Sequence, residues 1–124
     1  MKRAEKLAAL ERVALLRRDA ALQLYKLART AEASARADLA ALDTAERAAT
    51  AASSGDVAAA RQLAIYHCWA AAHRKTGEAN LTRAIGHSET CRAEAQRALG
   101  RTEVLVRLAK RLAAQNSALK ARRN

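Results

Sequence analysis

The side chains with the most chemical potential cluster in one short run, Tyr66-His67-Cys68-Trp69, with His73 close behind. A second candidate is His87 with Cys91, whose i,i+4 spacing puts two metal-ligand types on one helix face. A structural zinc site needs about four ligands and a catalytic one about three, and no further ligand is spaced to complete this pair. Cys68 and Cys91 are 23 residues apart, or about 35 Å along a helix, far beyond disulfide reach. No Ser/His/Asp arrangement, phosphate-cradling glycine loop, HExxH pair or pair of catalytic carboxylates is readable. The sequence therefore predicts a non-enzyme with no catalytic residue, no metal and no cofactor. Tyr66 and Trp69 are read as thick spots in an Ala-rich helix interface or, where exposed, as partner anchors, because Tyr and Trp are enriched in hot spots.

The elements that carry these residues follow from composition. The chain has 124 residues, no Pro, no Phe and four Gly, and 51% of it is apolar. Of the apolar residues, 35 are Ala and 16 are Leu. Alanine buries little area, so a thick globular core is excluded. Ala, Leu, Arg, Glu and Lys are the strongest helix formers, and their dominance points to long or coiled helices. The near absence of β-branched and aromatic residues excludes an all-β fold. The lack of Gly-rich loops and buried strands excludes an α/β nucleotide-binding fold.

Apolar and small residues then recur in steps of three and four. Leu7, Leu10, Ala14, Arg17, Ala21, Leu24, Ala28, Ala31 and Ala35 form the first stripe, and Leu39 and Leu42 continue it after a four-four step. The pattern breaks at Ser53-Ser54-Gly55-Asp56, the one cluster of turn residues. Gly55 suits a positive φ, Ser53 or Ser54 can cap a following helix, and Asp56 favours its first turn. Beyond it, Leu81, Ile85, Ser88, Arg92, Ala95, Leu99, Thr102 and Val106 step by four and three, and Leu105, Leu108, Leu112, Gln115 and Leu119 follow. Gly77, Gly86 and Gly100 have no Pro or polar cluster beside them and read as soft or close-approach points. The expected fold is all-α: a single-domain antiparallel two-helix coiled coil, with helices over about residues 2–52 and 56–122 and a turn over about 53–56. Residue i should then face about residue 108 minus i, which leaves Val106–Asn124 overhanging the first helix. The runner-up fold is one nearly continuous helix pairing with another chain.

Charge sharpens this picture. The net charge is +11. Residues 1–30 hold 8 bases and 3 acids, residues 92–124 hold 9 and 2, and residues 31–91 hold 6 and 7. In a hairpin the two basic segments meet at the open end. Glu32–Arg36, Asp43–Arg47 and Glu103–Arg107 are helix-supporting i,i+4 pairs. Lys2/Lys6, Arg97/Arg101 and Arg107/Arg111 are like-charged pairs that oppose the helix; a basic face is usually a solvated one, but the concentration of charge at one end favours docking into something acidic. The overhang carries an unpaired stripe, Leu105, Leu108, Leu112 and Leu119, that invites a partner. With Arg107, Lys110 and Arg111 these are the expected partner-binding residues, and Tyr66 and Trp69 form a second surface. A nucleic-acid partner is disfavoured, because Tyr25 is the only aromatic in either basic segment. No run of about 18 apolar residues spans a membrane. No apolar run of a secretory signal follows Met1-Lys2-Arg3, and Glu5, Glu11 and Asp19 speak against a mitochondrial presequence. Two cysteines without a framework suit the cytoplasm.

Several segments together resemble a known family. They are the basic Ala/Leu-rich first helix, the turn Ala51-Ala52-Ser53-Ser54-Gly55-Asp56, Leu63 and Tyr66 after it, and the basic closing run Arg92–Leu99 through Val106–Leu112. The chain resembles the flagellar export protein FliJ and the SctO/YscO stalk proteins of type III secretion. The resemblance implies a helical hairpin similar to the central stalk of rotary ATPases. It implies association with the hexameric export ATPase, contact with the export gate protein, and interaction with substrate chaperones. It also implies a cytoplasmic position at the base of a membrane secretion apparatus. The alternatives are a generic coiled-coil adaptor or chaperone and a basic helical nucleic-acid binder.

Overall fold

The computed structural model describes residues 2–123, so Met1 and Asn124, the last residue of the expected overhang, lie outside the described residues. Two helices account for nearly all of the rest: α1, Arg3–Ala52, and α2, Val57–Arg123. Among the described residues there is no strand, and no helix is long and apolar enough to cross a membrane. The Ala/Leu/Arg/Glu/Lys composition sustains helices of this length without interruption.

The helices end where the turn cluster lies, but the cap differs from expectation. Gly55 has φ +83°, the left-handed region that a Cβ disfavours. Asp56 immediately precedes α2, and its Oδ1 accepts the Ala59 backbone N–H at 2.7 Å. Asp56, not Ser53 or Ser54, is therefore the N-cap. A carboxylate at this place satisfies an orphan donor and also opposes the positive helix end. The Ser54 hydroxyl sits 3.3 Å from Asp56 Oδ2, and Ser53 N–H donates to the Thr50 carbonyl.

The chain divides into two compact units, each a stretch of α1 packed on a stretch of α2. The first comprises Met1–Lys26 with Thr90–Asn124, and the second comprises Leu27–Glu89 and contains the turn. The topology is a helical hairpin. In the second unit the covered residues of α1 are Ala28, Glu32, Ala35, Leu39, Leu42, Glu46 and Ala49, in steps of four and three, with Asp43 half-buried beside Leu42. In the first unit they are Leu7, Glu11, Ala14, Leu15, Arg18, Ala21 and Tyr25. The seven-residue repeat was legible, but half its members are displaced by one residue. Glu11, Arg18, Tyr25 and Glu32 hold the places expected of Leu10, Arg17, Leu24 and Ala31, which are exposed. On α2 the same offset puts Cys91 and Ala98 inside instead of Arg92 and Leu99, which are exposed, whereas Ala84 and Ile85, like Leu105 and Val106, are both half-buried. The four-four step falls on α2, at Tyr66–Ala70–Arg74, rather than on α1.

The reason is the size of what is buried. Ala70 is 0% exposed, Ala28 and Ala95 3%, and Ala98, Ser88, Thr102 and Cys91 are also buried. Backbones that approach on small residues leave room for only some leucines, such as Leu7, Leu39 and Leu42, and Leu10, Leu16, Leu24 and Leu27 stand outside at 56–70% exposure. Long stems such as those of Arg18 and Tyr25 can lie along the joint with their polar tips outward.

The pairing register also differs. Leu39 packs on Gly77, and a Cβ at Gly77 would lie 2.7 Å from Leu39 Cδ2. In the first unit Thr102 lies against Ala14, its hydroxyl 3.5 Å from that carbonyl while donating to Ala98 O at 2.9 Å. The expected pairing sets Leu39 near residue 69 and Ala14 near residue 94, so each true partner is about eight residues farther along α2. Non-helical residues advance up to about 3.3 Å each against 1.5 Å in a helix. The link therefore carries the chain past the end of α1 before α2 turns back. As a result Leu105 and Leu112 are half-buried against α1, and the expected overhang from Val106 is paired up to about Leu112, while residues 113–123 are exposed.

Candidate functional site

Charge is partitioned between the units more sharply than the sequence segments suggested. The first unit holds 16 Lys and Arg against 5 Asp and Glu, and the second holds 7 against 7. The whole excess of +11 thus resides in the first unit.

Of the expected partner-binding residues, Leu105, Leu108, Arg111 and Leu112 line grooves of the first unit and the other three do not. Leu105 and Leu112 belong to the helix–helix joint, whereas Leu108 is 44% exposed and Leu119 is exposed. Arg111 lines a groove of about 320 Å³ with Arg3, Lys6, Leu10, Leu108 and Gln115. Arg107 and Lys110 are exposed and line none of the grooves of this unit. A second groove of about 700 Å³ begins at the same Leu10 and runs between Val13 and Arg17 of α1 and Arg97, Arg101 and Val104 of α2, with Gly100 in its wall. The opposite side of the joint has a smaller hollow walled by Ala4, Ala8, Glu11, Ala109, Ala113 and Asn116. The two sides therefore differ: one is apolar with basic edges, the other is small-residued and carries an acid. Sequence reasoning missed Leu10, Val13 and Val104 as a surface because it assigned Leu10 to the joint.

In the second unit, the rings of the aromatic run form a tilted cluster on one helix. Trp69 is 48% exposed, with its ring 4.1 Å from that of His73 and 5.6 Å from that of Tyr66. Tyr66 is half-buried and also lines the hollow at the turn beside Ala49 and Leu63.

A polar cluster across the joint of this unit was not foreseen. The Glu46 carboxylate accepts from His67 Nδ1 at 2.6 Å and from Arg74 Nη2. Arg74 also donates to Asp43 at 3.0 Å, so Asp43 is engaged across the joint instead of by Arg47 as expected. The hydrogen bond from His67, then that from Arg74, holds the Glu46 carboxyl below the usual carboxylate range. The Glu46 and Asp43 hydrogen bonds raise Arg74 in turn. The recoverable signal was the polar residue at a seven-residue position, Glu46, with a base on the facing helix. Glu32 is buried and is met by Arg36 at 3.1 Å, the expected pair, and by Arg29 at 3.8 Å.

Among the described residues no three His, Cys, Asp or Glu side chains gather as a metal set. Cys68 is exposed and Cys91 is buried in the joint, both as thiols. No protein-family model, no curated protein and no solved structure matches this chain.

Proposed function

We propose that the chain is a non-enzymatic stalk protein of a type III protein export apparatus, a two-helix coiled coil that docks its basic unit on the export ATPase hexamer. The observation that carries the reading is the charge partition: +11 in a two-helix unit beside a neutral one. An acidic ring surface would attract the basic unit and raise its association rate. The predominant four-and-three spacing of covered residues on α1 supports the coiled coil. The resemblance to the FliJ and SctO/YscO proteins supplies the system, the export gate and the chaperones as further partners, and the cytoplasmic position at the base of the apparatus.

A second reading, a coiled-coil adaptor or chaperone of another assembly, draws on the exposed Trp69 clustered with His73 and Tyr66. Binding to, and stimulation of, a purified type III export ATPase hexamer separates the two. Reversal of Arg107, Lys110 and Arg111 to Glu should weaken that binding and its salt dependence. Reversal of Arg61, Lys75 and Arg83 in the neutral unit should leave both unchanged. No binding by the wild-type chain at low salt, or equal loss from the two triples, removes the export reading.

A further inference from the structure

We infer that one face of the first unit is a docking groove for an acidic amphipathic helix of a partner protein. The inference rests on the reading of the basic unit as the docking part, and not on the partner's being an ATPase. The floor is apolar: Leu10 at 56% exposure, Val13 at 47%, Val104 at 53% and Leu108 at 44%. Leu10 is common to the two grooves, of about 700 and about 320 Å³, so they adjoin along α1. The rims are basic throughout: Arg3, Lys6 and Arg17 from α1, and Arg97, Arg101 and Arg111 from α2. No acidic side chain lines either groove. Arg97 is met by Glu94 at 2.6 Å, and no ion pair within the described residues engages the other five.

The occupant follows from these two properties together. An apolar strip between two helices fits a third helix that presents residues at i, i+3, i+4 and i+7. Six bases beside the strip call for acids flanking that stripe. A second copy of this chain is disfavoured, since its own first unit would bring +11 against +11. A nucleic acid would use the bases and leave the apolar floor in water, and no aromatic side chain lines the groove for base stacking.

The test uses the full chain and a fluorescein-labelled synthetic helix of about 21 residues, ~31 Å long. The probe carries Leu at the first and fourth positions of each heptad and Glu at most others. A scrambled peptide of the same composition is the control. Anisotropy should report binding of the patterned peptide and at least tenfold weaker binding of the scrambled one. Leu10→Ser with Val104→Ser should raise the Kd at least tenfold, as should Arg17→Ser with Arg101→Ser. Arg12→Ser with Lys120→Ser removes the same charge away from the groove and should change it less than threefold. Both apolar positions are half exposed, so circular dichroism should show unchanged helix content. Equal losses from the two arginine- and lysine-removing pairs, or equal binding of the scrambled peptide, would overturn the proposal. So would a 20-base-pair DNA duplex that binds more tightly than the peptide and ignores the Leu10→Ser/Val104→Ser change. Peptide binding without ATPase binding supports the groove and removes the export reading, and ATPase binding without peptide binding does the reverse.

Discussion

Replacing Gly86 by Ala and, separately, Gly77 by Ala tests the register of the hairpin directly. Both glycines are inside α2, where Gly costs about 0.8–1 kcal/mol relative to Ala. A Cβ at Gly86 meets nothing within 4 Å, so Gly86→Ala should recover about 0.5–1 kcal/mol. The same gain is available at Gly77, but its Cβ would lie 2.7 Å from Leu39 Cδ2 and 3.3 Å from Cγ. Leu39 must rotate or the helices must part, and overpacking of this kind costs about 1–3 kcal/mol. Gly77→Ala should therefore be neutral to destabilising by up to about 2 kcal/mol, leaving a gap between the variants of about 1–3 kcal/mol. Urea unfolding followed by circular dichroism at 222 nm measures both. A Gly77→Ala variant as stable as Gly86→Ala would mean that Leu39 does not face Gly77. The pairing would then have to shift, by about eight residues if the simpler turn geometry were right.

Two further outcomes follow from the joint. Because hydrogen bonds hold Glu46 ionised below the usual carboxylate range, its contribution is fully present above that range and is lost as pH falls through the lowered folded value. Thermal melts between about pH 5 and pH 3 should thus show wild type losing its advantage over Glu46→Gln, and parallel curves would contradict the assignment. Ala70, 0% exposed, should not accept Leu without a loss of about 1–3 kcal/mol, whereas Leu16→Lys at a 70% exposed site should stay within about 0.5 kcal/mol. A neutral Ala70→Leu in the same urea series would show that the helices do not meet closely there.

The helices, the break at Ser53–Asp56 and the seven-residue repeat could be read from the residues, because each depends on local chemistry. Propensity sets the first, Gly55 the second, and the recurrence of Leu7, Ala14, Ala21, Ala28 and Ala35 the third. What could not be read is which neighbour of each repeat position turns inward. Choosing Leu10 over Glu11 and Leu24 over Tyr25 assumes that the largest apolar side chain goes inside. That assumption fails when the facing helix offers Ala, Ser, Cys and Gly and the backbones approach closely. The register was hidden for a related reason, since it depends on how far the link rises and on Leu39 finding Gly77. The concentration of charge was legible from segment totals. The groove was not, because separating Arg111 from Arg107 and Lys110 requires knowing which side of α2 meets α1.

The small-residue joint also governs how this protein responds to temperature. Unfolding exposes new apolar area in proportion to what was covered, and here most leucines of the first unit's α1 are already in water. The heat-capacity increment should fall well below the ~1.2–1.5 kcal/mol/K typical of 100 residues. A small increment flattens the curve of stability against temperature, so the chain alone should gain little on cooling and lose little on mild warming. Covering Leu10, Val13, Val104 and Leu108 with a partner would restore the missing curvature, and calorimetry would see it as a negative heat-capacity change on association.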